Sequence, residues 1–417
     1  MTTDNTRLRV AVIGSGIAGL AAARILREQH DVTVYERGEP STATGGQGIA
    51  NFPNSTHILA SMGFDYERVG SVELGAWRSV DKNGKALYST EYDMKGRYGS
   101  PLVSHMRVDM RAELLRLATA PPGELGLDAS ALPAVIVWGN GAVDLDAEAG
   151  RLTLEDGTTV DADVVVVADG IHSRLRPKVL GDANVSPRKT GLTCCRVAVS
   201  AEQAKKALGK LPYWWEDQLK EGEGHMRLVE ALDGTSRLMV LYPLRHGTWM
   251  NMSWIFPTRT ERKSATESWN ADGDRDEILQ IYEDFEDDMK TLLRVATEVK
   301  LWELQDLEPL PTWISGRAIL IGDAAHAMTP MQGQGSNMAI EDAEALRLFC
   351  QPGVSRDGIS SILKRIESVR RPRATKVLWN TRSTSKISSA ADRYSKFDEN
   401  CTYPGILSIL NKQAVTV

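Results

Sequence analysis

The stretch RVAVIGSGIAG, residues 9–19, decides the fold of this 417-residue chain. Its first five residues form a short apolar run of the kind that becomes a buried parallel strand, and residues 32–35 form a second such run. Between the two runs, residues 17–26 place apolar and small side chains at helical spacing. The sequence therefore predicts a βαβ unit near the start of the chain, with a glycine-rich turn between its first strand and its helix.

The glycine turn, residues 14–19, has the spacing of a dinucleotide-binding loop. Glycines at these positions permit a tight turn, a close approach of the backbone to a pyrophosphate, and close packing of the helix on the strand. Free N–H groups and the positive end of the helix dipole then face the phosphates. Glu36 ends the second strand, where a carboxylate accepts ribose hydroxyls and repels a 2′-phosphate, so FAD or NAD is favoured over NADP. The predicted cofactor contacts of this unit are Gly14, Gly16, Ala18, Gly19, Glu36 and Arg37.

Two further motifs follow strand-like runs later in the chain. The segment Asp-Gly-Ile-His-Ser-Arg-Leu-Arg, residues 169–176, comes directly after the valine-rich run 164–168. The segment Gly-Asp-Ala-Ala-His, residues 322–326, follows another buried-strand run, and an acid at that end of a strand lies where open α/β sheets bind ligands. Residues 333–336 then begin a helix whose N–H groups can face the negative charge of a reduced flavin. The predicted cofactor contacts here are Asp169, Gly322, Asp323, Pro330, Gly333, Gly335, Ser336 and Asn337.

Between these motifs the pattern changes to alternating polar and apolar residues, which is typical of antiparallel strands. Residues 72–90 predict a hairpin with its turn at Asn83-Gly84, and the section from about 187 to 303 contains several more strand-like runs. We therefore predict two domains whose segments alternate along the chain. The nucleotide-binding domain takes residues 1–71, 101–184 and 304–417, and the substrate-binding domain takes residues 72–100 and 185–303.

Composition excludes several classes of function. The formal net charge of −6 argues against a nucleic-acid partner, because phosphate backbones attract basic surfaces. No uninterrupted apolar segment reaches the roughly 18 residues of a membrane span. The four cysteines show neither disulfide nor zinc spacing, which suits a reducing compartment and predicts a cytoplasmic protein. No metal-spaced cluster is visible, so we expect no metal, and we expect His326 to be a local structural residue.

The three motifs, in this order and spacing, resemble those of the class A flavoprotein monooxygenases with the para-hydroxybenzoate hydroxylase fold, and most of all the salicylate-hydroxylase-like enzymes. The resemblance extends to the segments Gly46-Gln47-Gly48-Ile49 and Tyr242-Pro243-Leu244, and to Arg107 before a helix. It implies an α/β fold that combines a Rossmann-like, parallel-sheet FAD-binding domain with an antiparallel-sheet substrate domain. It also implies that the first motif holds the ADP half of FAD and that Gly48 and Arg107 contact the cofactor. Gln47 departs from the family pattern, which has a small residue there, and its amide could face the substrate.

The resemblance further implies a reaction. NADH or NADPH reduces FAD, O2 adds at the flavin C4a position, and the resulting hydroperoxide delivers oxygen to an electron-rich ring. The substrate-side candidates are then Arg196, Tyr242 and Gln47, of which Arg196 could pair with a carboxylate or phenolate of an aromatic substrate. Each of two residues has a structural alternative to a substrate contact: Arg196 could form a salt bridge at the edge of the sheet, and Tyr242 could simply pack in the core. His225 and His246 are further candidates as proton carriers, although lone histidines beside turns are usually solvated.

Three alternatives stay open on the sequence alone. A simple NAD-dependent dehydrogenase would share only the first motif. A different flavin monooxygenase would epoxidise an indole or alkene, or hydroxylate a nitrogen. A non-catalytic flavoprotein would bind the cofactor and a partner without turnover. The identity of the substrate, the choice between NADH and NADPH, and the oligomeric state are not encoded in any pattern that one sequence displays.

Overall fold

The structure is a computed structural model that describes residues 7–40, 47–182, 185–221, 223–258, 274–384 and 390–415. Gly46, which belongs to the family pattern around Gln47, lies outside the described residues. Among the residues described, none of the helices combines the length and the apolar character that a membrane crossing requires.

The strands of the described residues follow one another in chain order. They are β1 (Arg9–Ile13), β2 (Asp31–Tyr35), β3 (Gly48–Asn51), β4 (Val72–Asp81), β5 (Ala86–Glu91), β6 (Val103–Met106), β7 (Val135–Val137), β8 (Ala142–Asp146), β9 (Arg151–Leu154), β10 (Thr159–Asp161), β11 (Val164–Val167), β12 (Arg188–Ser200), β13 (Gly224–Glu230), β14 (Leu238–Leu244), β15 (Trp249–Pro257), β16 (Lys300–Asp306), β17 (Ile314–Ser315) and β18 (Ala318–Leu320).

The α-helices of the same residues lie between and after these strands. They are α1 (Ile17–Leu26), α2 (Pro53–Ser61), α3 (Met94–Tyr98), α4 (Arg107–Thr119), α5 (Arg176–Leu180), α6 (Ala201–Leu208), α7 (Tyr213–Glu221), α8 (Arg275–Ile281), α9 (Asp287–Val295), α10 (Asp323–His326), α11 (Gly335–Ala345), α12 (Ile359–Ser383), α13 (Ala390–Cys401) and α14 (Ile406–Val415). A short 3₁₀ turn, Pro330–Gln332, precedes α11.

The first sheet is the predicted nucleotide-binding sheet, in the order β17-β18-β11-β1-β2-β7. Strand β1 pairs in parallel with β2 and with β11, and β11 pairs in parallel with β18. The four valines of β11 are fully buried, as expected for a strand covered on both faces. The predicted βαβ unit is therefore confirmed, and the three motifs all begin at the carboxyl ends of neighbouring strands, β1, β11 and β18.

The second sheet is larger and follows the order β16-β12-β15-β14-β13-β4-β6-β3, with β5 paired to β4. Its pairings from β16 to β13 are antiparallel, which confirms the predicted strand type. The hairpin predicted at Asn83-Gly84 is also present, with Gly84 at a φ of +80°. Strands β4 and β13 pair in parallel, however, because the chain runs through the first sheet between them.

Strands β3 and β6 lie at one end of this larger sheet, although they come from segments that we assigned to the nucleotide-binding domain. Strand β16 likewise continues across the predicted boundary at residue 303. The domain boundaries therefore stay a prediction.

The two faces of the larger sheet differ in character. On β12, Cys195 and Val197 pack with helices α6 to α9 into a buried core that includes Trp215 and Trp254. The intervening residue, Arg196, projects from the opposite face, because successive side chains of a strand alternate. That second face carries Tyr242 and Trp302 within smaller apolar clusters. It carries two of the three substrate-side candidates, Arg196 and Tyr242.

Candidate active site

The glycine turn after β1 combines two tightly packed positions with one open position. Gly14 has a φ of +101°, and a Cβ atom there would lie 2.6 Å from the carbonyl oxygen of Ala168. A Cβ on Gly19 would overlap the carbonyl oxygen of Gly14. A Cβ on Gly16 would meet no atom within 4 Å, so the turn leaves free space where helix α1 begins. A pyrophosphate fits such a turn, because the backbone N–H groups at the helix N-terminus are then accessible to it.

Glu36 is held next to this turn by the backbone. One carboxylate oxygen accepts hydrogen bonds from the N–H and the hydroxyl of Ser15, at 2.7 and 2.8 Å, and the other accepts one from the N–H of Gly38 at 2.8 Å. Burial alone would raise the pKa of Glu36, but these hydrogen bonds outweigh it and lower the pKa. The carboxylate is therefore an anion at neutral pH. Arg37, the next residue, is exposed.

Arg111 also belongs to this site, although none of the sequence motifs predicted it. Its guanidinium donates to the carbonyl oxygen of Ser15 at 2.9 Å and to the Ser15 hydroxyl at 2.7 Å. It lies one turn after Arg107 on α4, so the two arginines share a helix face. The four-residue spacing between Arg107 and Arg111 is the sequence feature from which the second arginine could have been predicted. Arg111 thus fixes the loop that carries Gly14 and Gly16.

A buried arginine connects the second motif to the third through hydrogen bonds. The guanidinium of Arg176 donates to the carbonyl oxygen of Ala324 at 2.7 Å, to that of Ile171 at 2.8 Å, and to that of Asp323 at 3.2 Å. Asp169 accepts the N–H of Arg174 at 2.9 Å through one oxygen. Its other oxygen is buried without a hydrogen-bond partner among the described residues, and burial raises the pKa of this carboxyl group.

The third motif is held from behind by an acid on α11. Gly322 has a φ of +59°, and a Cβ there would lie 2.8 Å from the Cβ of Ala18 on α1. Asp342 accepts the N–H of Gly322 at 2.9 Å and lies 2.5 Å from Nε2 of His326. His326 is therefore a support for the turn, and Asp323 stands half-buried at the start of α10. No cluster of three or more His, Cys, Asp or Glu side chains suited to a metal occurs within the described ranges.

The start of α11 is tied to the second sheet through Asn337. Its side-chain oxygen accepts the N–H of Phe52 at 2.8 Å, and its side-chain nitrogen donates to the carbonyl oxygen of Gly333 at 2.7 Å. Gly333 has a φ of +64°, which lets the chain turn from the segment that begins at Pro330 into the helix. Because Gly335 and Ser336 begin α11, their N–H groups lie in the first turn, where a helix provides no partner.

The two sheets meet at a pair of arginines. Burial lowers the pKa of Arg107 first, and the charge of Arg196 lowers it further, while Asp323 acts in the opposite direction. Arg107 therefore feels the charges of both the third motif and the face of the larger sheet. The guanidinium of Arg196 lies 4.8 Å above the ring of Trp302, and its Nε is buried with no hydrogen-bond partner among the described residues.

Tyr242 and the segment of Gln47 and Gly48 form the other side of this junction. A Cβ on Gly48 would lie 2.6 Å from the Tyr242 ring and 2.8 Å from Asn251, so only glycine fits between them. Burial raises the pKa of Tyr242 to about 12, which keeps its hydroxyl neutral. Gln47 is buried, and its carbonyl oxygen accepts the N–H of Arg107 at 2.9 Å. Arg107, Arg196, Tyr242 and Gln47 are thus brought together.

The two candidate histidines lie elsewhere. His246 is about half exposed and stands 3.9 Å from Glu67 on the surface. His225 is buried on β13, where its N–H donates to Gln218 at 2.8 Å.

Comparison with known proteins agrees with this geometry. Residues 140–381 match the family model described as "FAD binding domain", and residues 9–55 match "FAD dependent oxidoreductase". The chain is 30% identical to hispidin-3-hydroxylase of Neonothopanus nambi over 90% of this chain and 87% of that protein. It is 32% identical to a 3-amino-4-hydroxybenzoate 2-monooxygenase of Streptomyces platensis over 89% and 86%. A solved salicylate hydroxylase substrate complex superposes with a TM-score of 0.70 at 28% identity, covering 91% of this chain and 88% of that chain.

The two-sheet fold and its three motifs thus define a flavin-dependent oxidoreductase. The chain belongs to the FAD-binding-domain family and is an FAD-dependent monooxygenase. The expected fold class, the resemblance to class A flavin monooxygenases and the FAD cofactor are confirmed. The dehydrogenase alternative is excluded.

Proposed function

We propose that this enzyme hydroxylates a small phenolic or other aromatic molecule, using O2 and electrons from NADH or NADPH. The observation that carries the proposal is the junction of the two sheets. There the buried, unpaired Nε of Arg196 and the neutral hydroxyl of Tyr242 share the face of the larger sheet that meets the cofactor motifs. A guanidinium on an aromatic-lined face suits a planar substrate that carries a carboxylate or phenolate. The relatives named above, whose own substrates are aromatic, support the same choice.

FAD fits the residues that the fold assembles. The open position at Gly16 and the N-terminus of α1 suit the pyrophosphate, and the anionic Glu36 suits the ribose of the adenosine half. Asp323 and the first turn of α11 would hold the flavin half, and Arg107 and Asp169 would complete the site. When bound, FAD supplies the electron transfer and the oxygen activation that side chains cannot provide.

The protein contributes orientation and charge. Arg196 would pair with an anionic oxygen of the substrate and hold the ring in place, and Gln47 and Tyr242 would also contact the ring. Because Tyr242 remains neutral, its hydroxyl can donate a hydrogen bond to a phenolate and so favour the electron-rich form of the ring. Met331 and Trp302, which lie in one apolar cluster, would help to exclude water.

The electron donor and the cellular location complete the proposal. NADH and NADPH remain equivalent, since Glu36 belongs to the FAD site and therefore says nothing about the nicotinamide donor. A cytoplasmic location is supported by the four cysteines, none of which forms a disulfide among the described residues, as is usual in a reducing compartment.

The test is a panel of phenols, salicylates and indoles, scored by the consumption of NADH and of NADPH and then by the mass of the product. We expect at least one phenol or salicylate to stimulate consumption and to gain one oxygen atom on its ring. Stimulation that yields only hydrogen peroxide with every compound would contradict the proposal. An epoxide or an N-hydroxyl product would instead support the other flavin monooxygenase reactions.

A further inference from the structure

Arg196 has a neighbour on the same face that the sequence did not single out. Ser253 on β15 lies directly opposite Arg196 on β12 in the antiparallel register. Side chains that are directly opposite project from the same face, with their Cβ atoms about 5 Å apart. Asn251, two residues before Ser253, lies opposite Tyr242, so all four side chains belong to the face that meets the cofactor motifs.

The hydrogen bonds of Asn251 determine the direction in which Ser253 donates. The side-chain oxygen of Asn251 must face the N–H of Gly48, at 2.9 Å, because a backbone N–H can only donate. Its side-chain nitrogen therefore faces Ser253 and donates to the hydroxyl oxygen at 3.2 Å. The Ser253 hydroxyl is thus already an acceptor, and no acceptor for its own O–H occurs among the described residues. Its hydrogen remains available to a ligand.

Arg196 supplies a second donor beside it. Its Nε is buried and unpaired, and a buried donor without an acceptor is destabilising. The adjacent Cys194 thiol is a weak acceptor, and Trp302 engages the face of the guanidinium rather than its N–H groups. The neighbouring positions of this face on β12, β14 and β15 carry no carboxylate.

We propose that Ser253 and Arg196 together bind an anionic oxygen of the substrate, either a carboxylate or a phenolate. Asn251 is a positioning residue: it turns the Ser253 hydroxyl into a donor and links it to Gly48, in the segment beside the cofactor motifs. The inference rests on the proposed function, because the ligand that it assigns is the aromatic substrate. Ser253 then helps to determine specificity, since a neutral analogue leaves both donors with a weaker partner.

The experiment is calorimetric titration of the FAD-loaded enzyme with salicylate, with its neutral amide salicylamide, and with 2-methoxybenzoate, which lacks the phenol. In Ser253→Ala the affinity for salicylate should fall about tenfold, and Ser253→Thr should restore it because the hydroxyl returns. If the carboxylate is the recognised group, wild-type enzyme should bind salicylate at least about tenfold more tightly than salicylamide, 2-methoxybenzoate should follow salicylate, and salicylamide should change little in Ser253→Ala. If the phenolate is recognised, salicylamide, which keeps the phenol, should follow salicylate, and 2-methoxybenzoate should not respond.

Controls separate binding from folding. Ser79→Ala is a matched control, because the buried Ser79 hydroxyl on the same sheet donates to Glu230 at 2.7 Å and should not affect salicylate. FAD content per chain identifies any variant that has lost its fold. Ser253→Cys, which weakens the donor at nearly constant size, gives the same comparison if the alanine variant does not fold.

Absence of salicylate binding, or unchanged salicylate affinity in both Ser253→Ala and Ser253→Cys, would each overturn the inference. Failure of the proposed function has a different signature. In that case salicylate binds in a Ser253-dependent way, yet no compound of the aromatic panel gives an oxygenated product.

Discussion

The nucleotide-binding end and the substrate face of this molecule are built by opposite means. At the nucleotide-binding end, the backbone forms most of the site: Gly14 and Gly19 permit contacts that any side chain would block, and backbone N–H groups donate to both oxygens of Glu36. At the substrate face, side chains form the site, and among the described residues neither the Nε of Arg196 nor the hydroxyl hydrogen of Ser253 has an acceptor that satisfies it. In the first region, Glu36 and the glycine turn are held by the protein itself, and one buried oxygen of Asp169 is left without a partner among the described residues. In the second region, we propose that an anionic oxygen of the substrate provides the missing acceptor.

This difference predicts a separation of effects. Substitutions at the glycine turn should remove FAD, whereas substitutions at Arg196 or Ser253 should leave FAD bound and change the response to substrate. The following variants test that separation, from the largest expected effect to the smallest.

Gly14→Val should give a colourless protein. A branched side chain cannot adopt the φ of +101° without strain, and its Cβ would collide with the carbonyl oxygen of Ala168. The visible absorption of the purified protein measures the bound FAD. Gly123→Val is the control, since a Cβ at Gly123 meets no atom within 4 Å, and it should remain yellow. A yellow Gly14→Val protein would contradict the assignment.

Arg196→Ala should lower turnover of the aromatic substrate on the order of 100-fold while FAD content stays at the wild-type level. The loss follows from the missing partner for the substrate anion, and kcat/KM for NAD(P)H oxidation measures it. Arg196→Lys keeps the charge but not the planar fork, so it should recover only part of the activity. If turnover survived in the alanine variant, Arg196 would be a structural residue.

Arg176→Met should lower the free energy of unfolding by about 3 kcal/mol, because buried carbonyl oxygens at the nucleotide-binding end lose their hydrogen-bond donor. Denaturation in urea, followed by tryptophan fluorescence, measures the loss. Arg174→Met removes an exposed arginine whose ion pair with Glu155 is 2.8 Å long, and it should change stability by less than about 1 kcal/mol. Equal effects of the two variants would mean that Arg176 does not connect the two motifs.

Tyr242→Phe should have the smallest effect, a reduction of kcat of up to about tenfold. Because the pKa of Tyr242 is raised to about 12, the hydroxyl does not titrate near neutrality, and the shape of the pH profile between about pH 6 and 9 should not change. The raised pKa also stabilises the fold at pH values below about 10, and this contribution is lost as the pH rises towards 12. Tyr242→Phe should therefore lose less stability than wild type at high pH, as thermal unfolding would show.

The sequence predicted one region of the molecule far better than the other, for a physical reason. Glycine spacing after a strand specifies a backbone shape directly, so the positions of Gly14, Gly322 and Gly333 could be predicted from neighbouring residues alone. The role of Ser253 depends on the register of β12 against β15, and residues more than 50 positions apart in the chain set that register. Arg111 could have been found from its spacing to Arg107.

The parallel pairing of β4 with β13 was beyond sequence patterns for the same reason, since alternation does not identify a partner strand. Arg196 was partly predictable: local sequence indicated its secondary structure, whereas the face from which it projects depends on distant residues. The section that contains it was predicted to form strands, but only the packing of the opposite face against α6 to α9 determined the side from which its guanidinium projects.

The central claim is that this enzyme inserts oxygen from O2 into an aromatic ring. The most direct measurement is turnover of the best compound of the panel under isotopically labelled O2 in ordinary water, with mass spectrometry of the product. We predict one labelled oxygen atom on the ring for each NAD(P)H consumed in coupled turnover. Product that contains only unlabelled oxygen, or NAD(P)H consumption without any oxygenated product, would contradict the account.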